Sequence, residues 1–481
     1  MKKQLIDIEI TGIAYDSRKV KPGDVFVAIP GLKVDGTSFV PQAIEKGAHA
    51  VVAEKEVKVP ENVDLVLVPN SRQALAELSA RLNGYPARRL KIIGITGTNG
   101  KTTIAYFIES ILKEAGFKVG LISTVETRFA GKSYPSAFTT PESLELQGVL
   151  AEMVKAGVTH LVMEVSSHAL AQYRVHGLEF DIAVYTNLTH EHLDYHKTME
   201  EYLKAKQQLF KMLKPDGLAV VNVDDPYSKK IIEEVEGEVV FYGIKEKKHE
   251  LRSTKYSEFD IKLKDHDIRL DWMKVVLDST EIRTPLVGMF NIYNILAAFQ
   301  CGLVLHLDRK MIKTGIEKAR VPGRFERIEA GQDFTVIVDF AHTPDALEQL
   351  LNMIKELKPT SSKLILVFGC PGERDREKRP IMGRIAKEFA DIVIVTTDDP
   401  HGEDPLAIIN DIGEVGEKVP DRREAISRAI GLAKKGDVVI VAGRGHEKYQ
   451  DFAGKKVEID DREVACEAIR TAKASPISAL E

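Results

Sequence analysis

A buried strand that runs into a glycine-rich loop and then a helix constrains this chain more than any other feature. Leu90 to Thr96 is apolar, Gly94-Ile95-Thr96-Gly97-Thr98-Asn99-Gly100-Lys101-Thr102-Thr103 carries the loop, and an amphipathic pattern continues to Ala115-Gly116. Glycines let the backbone wrap a phosphate chain, and the free N–H groups and dipole of a helix N-terminus favour an anion there. Lys101 can reach the β- and γ-phosphates, and Thr102 or Thr103 can hold Mg²⁺. Position 95 is Ile where the usual P-loop spacing has Gly, and the plainer alternative is a glycine turn between strand and helix. The context favours ATP or GTP, with Gly97, Thr98, Asn99, Gly100, Lys101, Thr102 and Thr103 as the phosphate cradle. Such a loop does not by itself say what the nucleotide is used for.

A chain of 481 residues is too long for one ordinary core. An α/β protein of three domains is expected. The first is a small N-terminal α/β domain (residues 1–88), in which Ser71 is expected to cap a helix to about Leu82 before Asn83-Gly84-Tyr85-Pro86. The second is a central P-loop domain with a mostly parallel sheet (89–322), whose charged stretch from about Glu236 to Leu286 reads as a β-rich insertion. The third is a C-terminal Rossmann-like domain (323–481), entered through Val321-Pro322-Gly323. Its strands, such as Val336 to Phe340 and Val438 to Val441, end in polar clusters, where open parallel sheets place ligands.

The net charge of −5 gives no broad basic surface for nucleic acid or anionic membrane. Cys301, Cys370 and Cys466 are far apart and without zinc spacing. Met1-Lys2-Lys3-Gln4-Leu5 does not open a signal peptide, and no apolar run is of membrane-spanning length. A cytoplasmic, monomeric enzyme is expected.

Two further strand ends carry groups suited to a metal beside phosphates. Glu164 closes an apolar strand before Val165-Ser166-Ser167-His168; a carboxylate there can face the loop and bind Mg²⁺ directly or through water. Thr186-Asn187-Leu188-Thr189-His190-Glu191-His192-Leu193-Asp194 crowds imidazoles and carboxylates into one loop. His192 can bind a second cation, although Mg²⁺ prefers oxygen and a lone histidine is more often a surface residue. Its place at a strand end beside Glu164 favours the ligand. Lys206, on a helix from Glu201 to Lys211, reads by spacing alone as a solvated helix lysine.

Together these residues resemble the Mur ligases over nearly the whole chain, and among them the members that add the third residue of the peptidoglycan stem peptide. The resemblance is carried, in order, by Asp16-Ser17-Arg18, Thr96 to Thr103, Thr139-Thr140-Pro141, Glu164-Val165-Ser166-Ser167-His168, His192-Leu193-Asp194-Tyr195-His196, Asn291-Ile292-Tyr293-Asn294, Gly323-Arg324-Phe325-Glu326, Asp339-Phe340-Ala341-His342-Thr343-Pro344-Asp345 and Gly443-Arg444-Gly445-His446-Glu447. It implies an ATP-dependent ligase. ATP would phosphorylate the terminal carboxylate of UDP-N-acetylmuramoyl-L-alanyl-D-glutamate, and the amine of a free diamino acid, L-lysine or meso-diaminopimelate, would displace phosphate. The chemistry is coherent: a carboxylate is a poor electrophile until it carries a leaving group, and cations must screen two anions that approach each other.

The resemblance further implies Lys101, Glu164, His192 and Lys206 as catalytic residues. Thr102, Glu164, His192 and Lys206 would surround Mg²⁺, Lys206 as a carbamate formed with CO₂. Asn291 and Asn294 would meet adenine, with Arg324, Asp339 and His342 near the nucleotide. Tyr15, Ser17, Thr139, Thr140, Ser166, Gln172 and Arg174 would hold the UDP-sugar peptide; Ser17 or Thr139 alone is equally a turn cap, while Arg174 has the fork geometry that suits carboxylate or pyrophosphate. Arg374, Asp398, Asp399, Pro400, His401, Gly443 and Glu447 would form the amino-acid pocket. Diaminopimelate-adding members usually carry Asp-Asn-Pro-Arg where this chain has Asp398-Asp399-Pro400-His401. Loss of a permanent bidentate cation weakens the grip on a distal carboxylate. An extra carboxylate suits a distal ammonium, and a protonated His401 still binds a carboxylate, so both amino acids stay open.

His190-Glu191 in place of Arg-Asp and Cys370-Pro371-Gly372 in place of Gly-Gly are smaller departures. The amino terminus begins almost at the first strand, so part of the uridine pocket is expected to be missing or rebuilt. A folylpolyglutamate-synthetase-like ligase would share the loop and the acyl-phosphate chemistry but not Asp16-Ser17-Arg18. A P-loop ATPase without ligase activity and a silent UDP-sugar-binding regulator are the readings from other classes.

Overall fold

The computed structural model describes residues 4–31, 34–245 and 261–474; the expectations for Met1 to Lys3, residues 246–260 and the last residues of the third unit lie outside the described residues. Short apolar runs bounded by turns become buried parallel strands in all three units. In the first, Ile13–Ala14, Val25–Val27, Ala50–Ala53 and Asp64–Leu67 pair in that order as a parallel sheet. Separate apolar clusters cover its faces, one around Leu75 and Leu78, the other around Val40 and Ala43. The helix Ser71–Leu82 is capped by Asn70, not by Ser71: the Asn70 side chain accepts from the N–H groups of Arg72 and Gln73. Ser71 is the first helical residue, and its hydroxyl donates to Glu54.

The central sheet has eight strands in the order Glu238–Tyr242, Leu213–Asn222, Phe180–Tyr185, Lys91–Thr96, His160–Glu164, Val119–Ile122, Glu126–Phe129 and Lys132–Pro135. The first six are parallel and the last two fold back antiparallel. The last three are only four residues each, too short for a period to mark them in the sequence. Lys91–Thr96 lies between Phe180–Tyr185 and His160–Glu164. The carboxyl ends of three adjacent parallel strands therefore deliver the glycine loop, Glu164 and the Thr186 to His192 loop to one edge, where open α/β sheets bind ligands. The charged stretch after Glu236 divides: Glu238–Tyr242 is the parallel edge of this sheet, and Leu263–Ile268, Met273–Leu277 and Thr280–Thr284 form a separate antiparallel sheet.

The third unit is a six-stranded sheet in the order Glu326–Arg327, Thr335–Asp339, Val438–Ala442, Leu364–Phe368, Ile392–Val395 and Glu417–Lys418, parallel except for its first strand. One continuous apolar cluster joins it to the central unit and includes Ile104, Leu296, Leu350 and Ile354. Among the described residues no helix is long and apolar enough to cross a membrane, and the three cysteines are free thiols.

Arg422 and Asp461 are fully buried in the third unit, joined at 2.9 and 2.7 Å, and Arg422 also donates to the Ala442 carbonyl. Asp461→Ala leaves a buried guanidinium without its counter-charge and is expected to destabilise the third unit by about 3–5 kcal/mol. The measurement is the midpoint of its urea unfolding transition.

Candidate active site

The glycine loop is held from the neighbouring strand end. Thr98 N–H donates to the Asn187 carbonyl (2.8 Å), Asn99 N–H to Asn187 Oδ1 (2.9 Å) and Thr186 Oγ1 to the Asn99 carbonyl (2.7 Å). Gly97 has φ +147°, and a Cβ there would meet Thr186 Oγ1 at 1.7 Å, so only glycine fits. Gly100 at φ +89° likewise packs on Asn294. Lys101 Nζ donates back to the carbonyls of Gly97 and Thr98 at 2.9 and 2.7 Å, over the mouth of the loop.

Around this loop lies a cavity of about 480 Å³ lined by residues of both the central and third units. Thr98, Asn99, Gly100, Lys101, Thr102, Thr103, Asn291, Asn294, Arg324, Asp339 and His342 all face it, as do Glu164, His192, Thr139 and Ser166. Asn294 donates to Asn291 and Asn291 to the Val287 carbonyl, which fixes both amides at one end. Arg324 lies 4.1 Å over the Phe340 ring and donates to Thr102 Oγ1. Asp339 accepts from the N–H groups of Phe325 and Ala341, and burial raises its pKa against the pull of Arg324. His342 Nδ1–H donates to the Phe340 carbonyl (2.8 Å), which fixes its tautomer. Asn99 reaches Asp345 of the third unit at 2.8 Å.

Lys206 is 1% exposed and not a solvated lysine. On the helix Met199–Lys211 it shares a face with Tyr202, Leu209 and Phe210, and that face packs on the sheet. Its Nζ lies 4.3 Å over the Tyr202 ring. Burial, and then the charge of Lys101, hold its pKa well below the lysine range, with Glu191 opposing. Burial also lowers the pKa of Lys101. His192 is held neutral by burial and by the His168 ring, 4.7 Å away edge to face. Glu164 accepts from Thr124 N–H and Oγ1 at 2.8 and 3.2 Å.

From Glu164 a row of polar groups leads to the first unit. Thr124 links Glu164 to Thr139, and Thr140 Oγ1 donates to the Glu164 carbonyl and accepts from Ser166 N–H. Arg174 binds the Thr140 carbonyl, Gln172 and Glu142, and Tyr15 of the first unit donates to Glu145 in the helix Ser143–Lys155 that follows Glu142. Ser17 is buried in the first unit and its hydroxyl donates to Gln42 Oε1 at 2.6 Å.

The residues expected at the amino-acid end gather on the third unit. Arg374 is exposed, and its charge reaches His168, whose pKa burial, Arg174 and Arg374 lower to about 4. The Asp399 carboxylate is not free: Arg444, fully buried, binds it at 2.5 Å, and Asp451 N–H donates to the same oxygen. Arg444 also lies 3.6 Å from Asp398 and 3.5 Å from Glu447. Asp398 Oδ2 is buried without a hydrogen-bond partner among the described residues, and Gly443 leaves room for it, since a Cβ there would come within 2.7 Å. Desolvation and the two aspartates push Glu447 up to about 8 against Arg444. Pro400 and His401 follow in a loop bridged to Phe452, with His401 Nδ1 3.7 Å from Asp451.

Thr124, Glu191, Asp345, Lys378 and Arg444 are site residues that motif spacing does not single out. Arg444, between two glycines of a quoted motif, is the one a charge count at Asp398-Asp399 points to.

Gly97→Ala is expected to raise the dissociation constant for ATP by at least about a hundredfold, because the loop must leave Thr186. Calorimetric titration reads the loss, and an unchanged circular dichroism spectrum shows that the fold persists.

Three family models match the chain in sequence: the Mur ligase family catalytic domain over residues 9–82, the Mur ligase middle domain over 95–302 and the Mur ligase glutamate ligase domain over 323–445. A UDP-N-acetylmuramoyl-L-alanyl-D-glutamate–2,6-diaminopimelate ligase of Syntrophomonas wolfei is 44% identical, covering 97% of this chain and 96% of that protein. A protein of the same name from Geobacillus thermodenitrificans is 44% identical over 96% of this chain and 95% of its own. A solved structure of a ligase so named superposes with a TM-score of 0.66 at 32% identity, covering 97% of both chains. A folylpolyglutamate synthase of Mycobacterium tuberculosis shares the fold, with a TM-score of 0.63 at 17% identity over 84% of this chain and 96% of its own. With the motifs in order, the loop, carboxylate and imidazole on one sheet edge, and these likenesses along its length, the chain belongs to the Mur ligase family.

Proposed function

We propose that this chain is an ATP-dependent, ADP-forming ligase of the cytoplasm that joins a diamino acid to UDP-N-acetylmuramoyl-L-alanyl-D-glutamate in peptidoglycan precursor synthesis. The observation that carries the reading is the convergence of the Lys101 loop, Glu164, His192 and Lys206 at the end of a polar row from Tyr15 and Arg174. The triphosphate lies along Gly97 to Thr103, with Asn291 and Asn294 toward the base and Arg324, Asp339 and His342 closing over it. The peptide carboxylate comes down the row of Arg174, Thr140, Ser166 and Thr139. It attacks the γ-phosphorus, ADP leaves, and an acyl-phosphate forms. The amine then adds to the acyl carbon, phosphate departs with the C–O electron pair, and the ammonium proton goes to solvent or phosphate.

The donor set suits Mg²⁺, a hard cation that wants oxygen. Thr102 and Glu164 supply oxygen, and His192 is a neutral nitrogen donor. Held there by Thr102, Glu164 and His192, Mg²⁺ would screen the phosphates against the incoming carboxylate. The Lys206 amine is the wrong donor for Mg²⁺, yet its suppressed protonation leaves the lone pair that CO₂ requires. A carbamate on Lys206, formed with loss of the amine proton, would turn it into an anionic oxygen ligand beside the Lys101 charge.

We infer 2,6-diaminopimelate as the added residue. The relatives at 44% identity carry that name, and the argument for lysine from Asp399 loses its basis, because that carboxylate is bound by Arg444. The pocket keeps both signs that a zwitterionic end needs: the Arg374 guanidinium and the Asp398 carboxylate, whose Oδ2 has no hydrogen-bond partner among the described residues.

ADP and the amide are expected in equal amounts, and only when ATP, Mg²⁺, the UDP-muramoyl dipeptide and the amino acid are all present. Equal ATP hydrolysis without dipeptide and amino acid would instead mark a simple ATPase. In competition, mass measurement of the product is expected to find meso-diaminopimelate incorporated over L-lysine; the reverse result overturns the assignment of the amino acid. Lys206→Ala is expected to lower turnover by roughly a hundredfold, with partial recovery in added formate. Full activity in that variant removes the carbamate.

A further inference from the structure

The dipeptide His190-Glu191 and the segment Asp375 to Lys378 face each other across the junction of the central and third units. His190 Nε2 lies 3.3 Å from Asp375 Oδ2 at the surface. Beneath it, Glu191 Oε1 lies 3.7 Å from Lys378 Nζ, with 8% and 5% of the two side chains exposed. Lys378 also donates to the His342 carbonyl at 3.0 Å. Exposed pairs contribute little, but a buried charge that loses its partner is strongly destabilised where it stands. Glu191 belongs to the loop after Phe180–Tyr185, and Lys378 opens the helix Lys378–Phe389, so the pair exists only when the third unit is docked on the central one.

Arg374, whose charge acts on His168 of the central unit, immediately precedes that segment. It is rigidly mounted. Arg379, fully buried, binds Glu403 at 3.1 and 3.0 Å, Asp411 at 2.8 Å and the Pro371 carbonyl at 3.2 Å. Glu373 N–H donates to the same Glu403 carboxylate, so the backbone on both sides of Arg374 is tied to Glu403 and, through it, to the loop from Asp398.

We propose that Glu191 and Lys378 form a buried clasp that holds the third unit closed and sets Arg374 at the place where the incoming amino acid is received. The proposal rests on the ligase reading for its substrate. Both are positioning residues, which act through Arg374. The clasp has a second consequence for charge. Docking thereby brings a cation to the Glu191 carboxylate beside Lys101.

The test is a double-mutant cycle on the full chain with Glu191→Gln, Lys378→Met and both together. Each single change is expected to raise KM for the amino acid about tenfold or more, and the pair to be no worse than the poorer single within about threefold. Lys378→Arg keeps the charge and is expected to stay within about threefold of the parent, which separates a lost contact from a misfolded variant. Effects that multiply, or a Lys378→Arg protein as impaired as Lys378→Met, overturn the clasp. Small-angle scattering with ADP and Mg²⁺ gives a readout that needs no turnover: Lys378→Met is expected to enlarge the radius of gyration, and an unchanged radius counts against the proposal. If the parent protein makes no amide while Lys378→Met still expands, the ligase reading fails and the clasp stands.

Discussion

Two lysine amines share one buried space. Lys101 and Lys206 are both desolvated, and the charge of Lys101 acts on Lys206. Away from bulk water such charges are expensive to keep and repel strongly. The surroundings offset this only in part, through Glu164 and Glu191. The site suits a polyanion, and the strand order is what assembles it. Placing Lys91–Thr96 between His160–Glu164 and Phe180–Tyr185 is what brings a phosphate loop, a carboxylate and an imidazole within reach of one another.

The third unit completes the cavity from the opposite side. Arg324 reaches Thr102, Asp345 reaches Asn99 and Lys378 reaches Glu191, so these three contacts from the third unit land on groups in or beside the glycine loop. At the far end Arg444 organises Asp398, Asp399 and Glu447 around one guanidinium, leaving a single buried carboxylate oxygen unclaimed.

How much of this is legible in sequence depends on range. The phosphate loop is legible because glycines, lysine and threonines act within ten residues of one another. Glu164 and His192 are legible because parallel strands end where ligands bind: Glu164 closes one recognisable apolar run and His192 lies in the polar loop that follows the next. Lys206 is not, because helical spacing alone does not say which face is covered; here Tyr202, Leu209 and Phe210 carry it inward. The pairs Asp399–Arg444 and Glu191–Lys378 join residues 45 and 187 positions apart, and no local pattern announces them. Ser71 and Asn70 differ by one position, within the margin by which any helix start is read from composition.

Oxygen can be followed through the central step. If the peptide carboxylate attacks the γ-phosphorus and the amine later displaces phosphate, then with oxygen-18 in that carboxylate one labelled atom must leave in inorganic phosphate for each amide formed. Mass spectrometry of the released phosphate is expected to find that transfer. Amide formed alongside unlabelled phosphate would contradict carboxylate activation at this site.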